Sequence, residues 1–143
     1  MEEFKVRLQE LINEKECSKE ELSNCLELSS ASVISSWTTG RKIPRLNNAI
    51  KLADYFLCSL DYLFGYTNDN SRNKFNKSKP FDKQLRKILS DKKITQAKLV
   101  EETNFSKGNI SSWLYEKSQP DMPTVIKLAE YLGVSLDYLA GRE

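Results

Sequence analysis

The chain repeats itself, and the period of the repeat limits the folds open to it. Ile34-Ser35-Ser36-Trp37 returns as Ile110-Ser111-Ser112-Trp113, and Ile50-Lys51-Leu52-Ala53 as Ile126-Lys127-Leu128-Ala129. Ser59-Leu60-Asp61-Tyr62-Leu63 returns as Ser135-Leu136-Asp137-Tyr138-Leu139. These pairs are offset by 76 residues, as are Pro44/Pro120 and Gly65/Gly141. Upstream, Phe4/Phe81, Leu8/Leu85, Leu22/Leu99 and Ser29/Ser106 match at 77, which places one extra residue in the first half between Ser29 and Ile34. Solenoid units are shorter, roughly 20–50 residues. A 143-residue chain with this period reads as two small homologous domains in tandem: residues 1–66, a linker over 67–80, and residues 81–143.

Each half predicts five short helices and no strand, an all-α chain. Phe4, Leu8, Leu11 and Ile12, and again Phe81, Leu85, Ile88 and Leu89, lie on one face of a 3.6-residue period. Ser18 with Glu21 forms an S-x-x-E capping box at the second helix; its counterpart Thr95 can cap, but Lys98 cannot complete the box. The third helix is expected from about Ser29 to Trp37 and from Ser106 to Trp113, with the tryptophans ending an apolar stripe in the core. The fourth follows Pro44 or Pro120 and carries Leu46, Ala49, Ile50 and Ala53, or Met122, Val125, Ile126 and Ala129. The fifth is capped by Ser59 or Ser135, each with an aspartate two residues on that favours the positive helix end. Tyr62, Phe64, Tyr66 and Tyr138, on or near the fifth helices, are core residues or a dimer seam.

Composition removes most enzymatic chemistry. There is no histidine, so Ser-His-Asp, Cys-His and histidine–metal sites are excluded. Cys17, Cys25 and Cys58 form no C-x-x-C pair, which leaves zinc without ligands and argues against a secreted disulfide framework. Cys17 and Cys58 align with Ile94 and Val134 and are expected to be buried thiols. No Gly-rich phosphate loop is present, and neither a cofactor nor a metal is expected. Hydrophobic residues at 39% and charged residues at 29% describe a soluble globular chain, and the acidic start is not a signal peptide, so a cytoplasmic protein is expected. The net charge of +2 permits nucleic-acid binding without announcing it. Its distribution is uneven. Residues 1–66 carry 8 basic and 10 acidic groups, whereas Arg72, Lys74, Lys77 and Lys79 face only Asp69 in the linker, which is expected to be basic and flexible.

The chemistry-bearing segments are the second and third helices. Thr95-Gln96-Ala97-Lys98-Leu99 opens a short helix, Asn104 stands at a tight turn suited to a left-handed residue, and Phe105-Ser106-Lys107-Gly108-Asn109-Ile110-Ser111-Ser112-Trp113 follows. This spacing, with K-L-A-x-Y-x-x-x-S-L-D-Y-L-x-G downstream in both halves, resembles the lambda-repressor-like (Cro/CI, XRE-type) helix-turn-helix family in two copies.

The resemblance implies that the third helix enters the DNA major groove and that the start of the second contacts a phosphate. In the second half the residues so implied are Gln96 for phosphate, Ser106, Lys107, Gly108, Asn109, Ser111 and Ser112 along the recognition helix, and Lys117 in the following loop. In the first half they are Lys19, then Ser30, Ala31, Ser32, Ser35 and Ser36, then Arg41 and Lys42. Which of Ser30, Ala31 and Ser32 faces DNA is left open by the extra residue. The halves depart from the family pattern in different ways. The first has Glu20 and Glu21 beside Lys19, Glu27 at its turn, and no Arg, Lys, Asn or Gln in its recognition helix before Trp37. The second has Glu116 where the first keeps a loop glycine, Gly40.

The function implied is a sequence-specific DNA-binding regulator of bacterial or phage type, a repressor that acts by occlusion. Its partner is double-stranded DNA. A homodimer and an intramolecular pseudo-dimer on two unlike half-sites both remain open. The alternative is a helix-turn-helix protein-interaction module of antirepressor or antitoxin type, motivated by the acidic first half and its poor reading face.

Overall fold

The computed structural model describes residues 2–69, 75–115 and 117–143. Among them are ten helices and no strand: α1 (Glu2–Lys15), α2 (Lys19–Cys25), α3 (Ala31–Thr38), α4 (Leu46–Phe56), α5 (Leu60–Leu63), α6 (Phe81–Asp91), α7 (Gln96–Glu102), α8 (Lys107–Leu114), α9 (Met122–Leu132) and α10 (Leu136–Leu139). No helix among the described residues is long and apolar enough to cross a membrane. The chain divides into two compact units, Met1–Phe75 and Asn76–Glu143, each built on the same plan.

In the first unit α1 packs its Phe4, Leu8, Leu11 and Ile12 face on α3 and α5, while α2 lies on α3 and α4 on α5. In the second unit α6 packs on α8 and α10, α7 on α8, and α9 on α10. The apolar stripe of the sequence thus becomes the first helix of each unit, laid across the third and fifth. Trp37 and Trp113 are buried as expected. Tyr62 and Phe64 belong to the core, with Phe64 stacked on Phe4 at 4.7 Å, whereas Tyr138 is half-buried and Tyr66 is 55% exposed. Cys58 is buried, but Cys17 is only half-buried and Cys25 is exposed.

The caps follow the sequence. Ser18 Oγ accepts the Glu21 N–H and Thr95 Oγ1 the Lys98 N–H, each at 3.0 Å. Ser59 and Ser135 accept the N–H groups of Tyr62 and Tyr138. The repeated glycines Gly65 and Gly141 close the fifth helices at φ +85° and +78°. A Cβ on Gly65 would stand 2.4 Å from Glu3 Cβ, and one on Gly141 2.8 Å from the Lys79 nitrogen, so neither position admits a side chain.

Three expectations change. First, the extra residue lies earlier than the sequence match suggests. The third helices start at Ala31 and Lys107 behind the N-caps Ser30 and Ser106, so Ser30, not Ser29, corresponds to Ser106. The insertion therefore sits in the turn between α2 and α3. Glu27 absorbs it with φ +56°, whereas Asn104 is not left-handed and Thr103 ends α7 in extended conformation. Second, α3 begins two residues later than expected, because Ser29 belongs to that lengthened turn. Third, the joining segment is not loose at its ends. Arg7 Nη1 donates to the Thr67 carbonyl at 3.0 Å and Arg7 Nη2 to Asn68 Oδ1 at 2.8 Å. On the other side, the Asn76 and Lys79 N–H groups donate to the carbonyls of Arg142 and Gly141. Arg72 and Lys74, counted toward its basic charge, lie outside the described residues, as does Glu116.

Candidate nucleic-acid interface

In the second unit, α8 is anchored on one side and open on the other. Ile110, Trp113 and Leu114 are buried, and Phe105 meets Trp113 edge-on at 5.3 Å. Ser106 Oγ accepts the Asn109 N–H at 3.1 Å, which fixes the first turn. Ser106, Lys107, Gly108 and Asn109 are then exposed together at the start of the helix, with Ser111 and Ser112 half-buried behind them. Gln96, the first residue of α7, is half-buried, and Thr95 caps that helix. Lys117 is exposed just beyond α8, its N–H held by the Ser112 carbonyl at 2.9 Å. A lysine can bond the acceptors of guanine and an asparagine can bond adenine bidentately, so Lys107 and Asn109 are chemically able to read base edges.

The corrected register gives the first unit's face: Ala31, Ser32 and Val33 stand where Lys107, Gly108 and Asn109 stand in the second. Ala31 and Val33 are half-buried. Ser30 and Ser32 hydroxyls bond each other at 2.5 Å, so Ser30 gives its helix no side-chain cap. Ser36 does not belong to an exposed face. It is 7% exposed, and its hydroxyl donates to the Val33 carbonyl at 2.6 Å, a local bond within the helix. Ser35 is half-buried and accepts from Lys19 Nζ at 3.4 Å, which draws the cation at the start of α2 onto α3.

What the first unit lacks on its recognition helix it has beside it. A cleft of about 650 Å³ is bordered by Ser32, Ser36, Arg41, Lys42, Arg45 and Asn48. Arg41, Lys42 and Arg45 are all exposed. Arg45 is also the N-cap of α4 and offers no side-chain acceptor there, so the positive end of the helix dipole adds to three cations. The second unit reverses this pattern, because Asp121 caps α9 with its carboxylate, accepting the Thr124 N–H at 3.0 Å. Arg45 and Asn48 were missed by sequence reasoning. The signal available was the spacing of Arg41, Lys42 and Arg45 around Pro44, which gathers three cations at one helix start.

No curated protein and no solved structure matches the chain. Residues 8–63 match the family described as helix-turn-helix, and residues 83–143 the family described as helix-turn-helix domain. The two matches fall one on each unit, running from within α1 to α5 in the first and from within α6 past α10 in the second. With the repeat, the ten helices and the paired turns, they establish that the chain belongs to the lambda-repressor-like helix-turn-helix family and carries the domain twice.

Proposed function

We propose that this DNA-binding regulator is a sequence-specific repressor of bacterial or phage type, in which the second unit reads bases and the first holds the backbone. The observation that carries the reading is the exposed run Lys107-Gly108-Asn109 on a helix whose opposite side is locked by Ile110, Trp113 and Leu114. Gln96 and Lys117 flank that run and supply phosphate contacts. In the first unit Ser30, Ala31 and Ser32 offer no bidentate donor, and Arg41, Lys42 and Arg45 neutralise phosphates around the cleft. The protein acts in the cytoplasm without a cofactor, and bound protein blocks polymerase. Because the two recognition helices differ, a single chain acts as a pseudo-dimer whose operator has two unlike halves.

Selection from random duplex DNA, followed by titration of the enriched sequence at two salt concentrations, tests this. The expected result is an asymmetric site with steeply salt-dependent affinity. A palindrome would replace the pseudo-dimer with a homodimer. Failure to enrich any sequence would overturn the regulator and favour the protein-interaction module, for which the self-paired serines of the first unit's face are the motivating observation.

A further inference from the structure

Five glycines occur in the chain, and four of them stand in left-handed backbone. Gly40, Gly65, Gly133 and Gly141 all have positive φ, between +69° and +85°, where a side chain is strained. Gly108 is different. It lies in the first turn of α8 without a positive φ, and a Cβ built on it meets no atom within 4 Å. Nothing inside the protein asks for glycine there. Glycine also loses more backbone freedom on folding than alanine would, so the residue brings its helix no stability of its own. The equivalent position in the first unit carries a side chain, Ser32.

Gly108 is also exposed, between the two residues of the chain's recognition helices best able to bond bases, Lys107 and Asn109. A missing side chain flanked by two readers leaves a gap the depth of one methyl group. We infer that Gly108 is a close-approach position, at which the bare backbone of α8 meets a base-pair edge in the major groove and so sets specificity at that base pair. This inference rests on the DNA-binding reading proposed above and adds a residue whose role is to be absent. A Cβ at this position would push the helix out of the groove and lengthen the bonds of Lys107 and Asn109 to their bases, although it would disturb nothing within the protein.

The test is Gly108→Ala in the full chain, with thermal unfolding, titration on the duplex enriched by the unsubstituted protein, titration on a scrambled duplex, and a fresh selection. Because the backbone already suits alanine, the melting temperature should hold or rise. Affinity for the enriched duplex should fall by at least about tenfold, the scale of one mismatched base pair. Affinity for the scrambled duplex should stay within about twofold, since that binding is electrostatic. The fresh selection should change the preferred base at a single position. Loss of less than about twofold on the enriched duplex would overturn the inference while leaving the regulator intact. An equal loss on both duplexes would overturn it too, because Gly108 would then face the phosphate backbone. If the unsubstituted protein enriches no duplex, the regulator reading fails and this inference falls with it.

Discussion

Neutralising the cleft of the first unit offers a direct measure of how much of the binding is electrostatic. Arg41 and Lys42 are exposed and line the same cleft. Arg41 makes one weak side-chain bond, Nε to Thr39 Oγ1 at 3.4 Å, so changing it leaves the fold undisturbed. The double substitution Arg41→Gln/Lys42→Gln keeps length and hydrogen-bonding capacity and removes two charges. Each phosphate neutralised contributes about −0.9 to the slope of log affinity against log salt, so the slope should become shallower by about 1.8. Between about 50 and 200 mM salt, a fourfold change, the unsubstituted protein should therefore lose about twelvefold more affinity than the variant. Fluorescence anisotropy on the selected duplex at four or more salt concentrations reads this directly. The base preference should not change, because neither residue is placed on a recognition helix. A slope shift below about 0.5 would show that the cleft does not touch phosphate and would refute the division of labour between the units.

Two further predictions concern the stability of each unit by itself. Arg142 Nη1 and Asp137 Oδ1 pair at 2.5 Å with side chains 1% and 2% exposed, so Arg142→Ala removes the cation of a buried ion pair and should destabilise the second unit by about 3–5 kcal/mol. Denaturant unfolding should show the loss confined to that unit, with Arg142→Met/Asp137→Leu recovering most of it; a cost below about 1 kcal/mol would contradict the pairing. Leu57 ends α4 at φ +54° while 47% exposed, and its counterpart in α9 is Gly133. Leu57→Gly should therefore stabilise the first unit by about 1 kcal/mol, and a net destabilisation by chemical denaturation would mean that the Leu57 side chain does more than its exposure suggests.

Most of the fold was legible because the chain states it twice. A single apolar stripe such as Phe4-Leu8-Leu11-Ile12 fits many helical folds, but its return with the same caps and the same terminal glycine fixes five helices per unit. The helix ends were harder to see. Four left-handed positions are filled by Glu16, Glu27, Leu57 and Lys93, none of which advertises a turn in the way glycine does. The buried pair was invisible for a related reason. Asp137 repeats Asp61 and reads as a helix-start charge, while its partner Arg142 stands where the first half has Tyr66, so the repeat itself hid the difference. In the same way Arg7 and Gln84 occupy one position and do one job, donating to the carbonyls of Tyr62 and Tyr138, although a cation and an amide look unrelated in sequence.

The candidate site was legible in its residue types and less so in its register, and the cause is one inserted residue. Matching Ser29 to Ser106 satisfies identity; matching Ser30 to Ser106 satisfies the helix, because the N-cap position is fixed by backbone geometry. The second choice moves the residues before Ile34 by one position, about 100° around the axis, while Ile34–Trp37 keep their match to Ile110–Trp113. That rotation sets Ala31, Ser32 and Val33 against Lys107, Gly108 and Asn109. The comparison then has chemical content. A helix start with lysine and asparagine around a bare glycine presents donors at short range, whereas one with alanine, valine and a self-bonded serine presents almost none. The first unit's charge stands instead around the start of α4, where the second unit has an acid, Asp121. The two copies carry cations at different places on the same scaffold, on the third helix in the second unit and beside it in the first. Specific contacts and backbone contacts make different demands on a surface, and a duplicated domain can meet both without any one helix serving both.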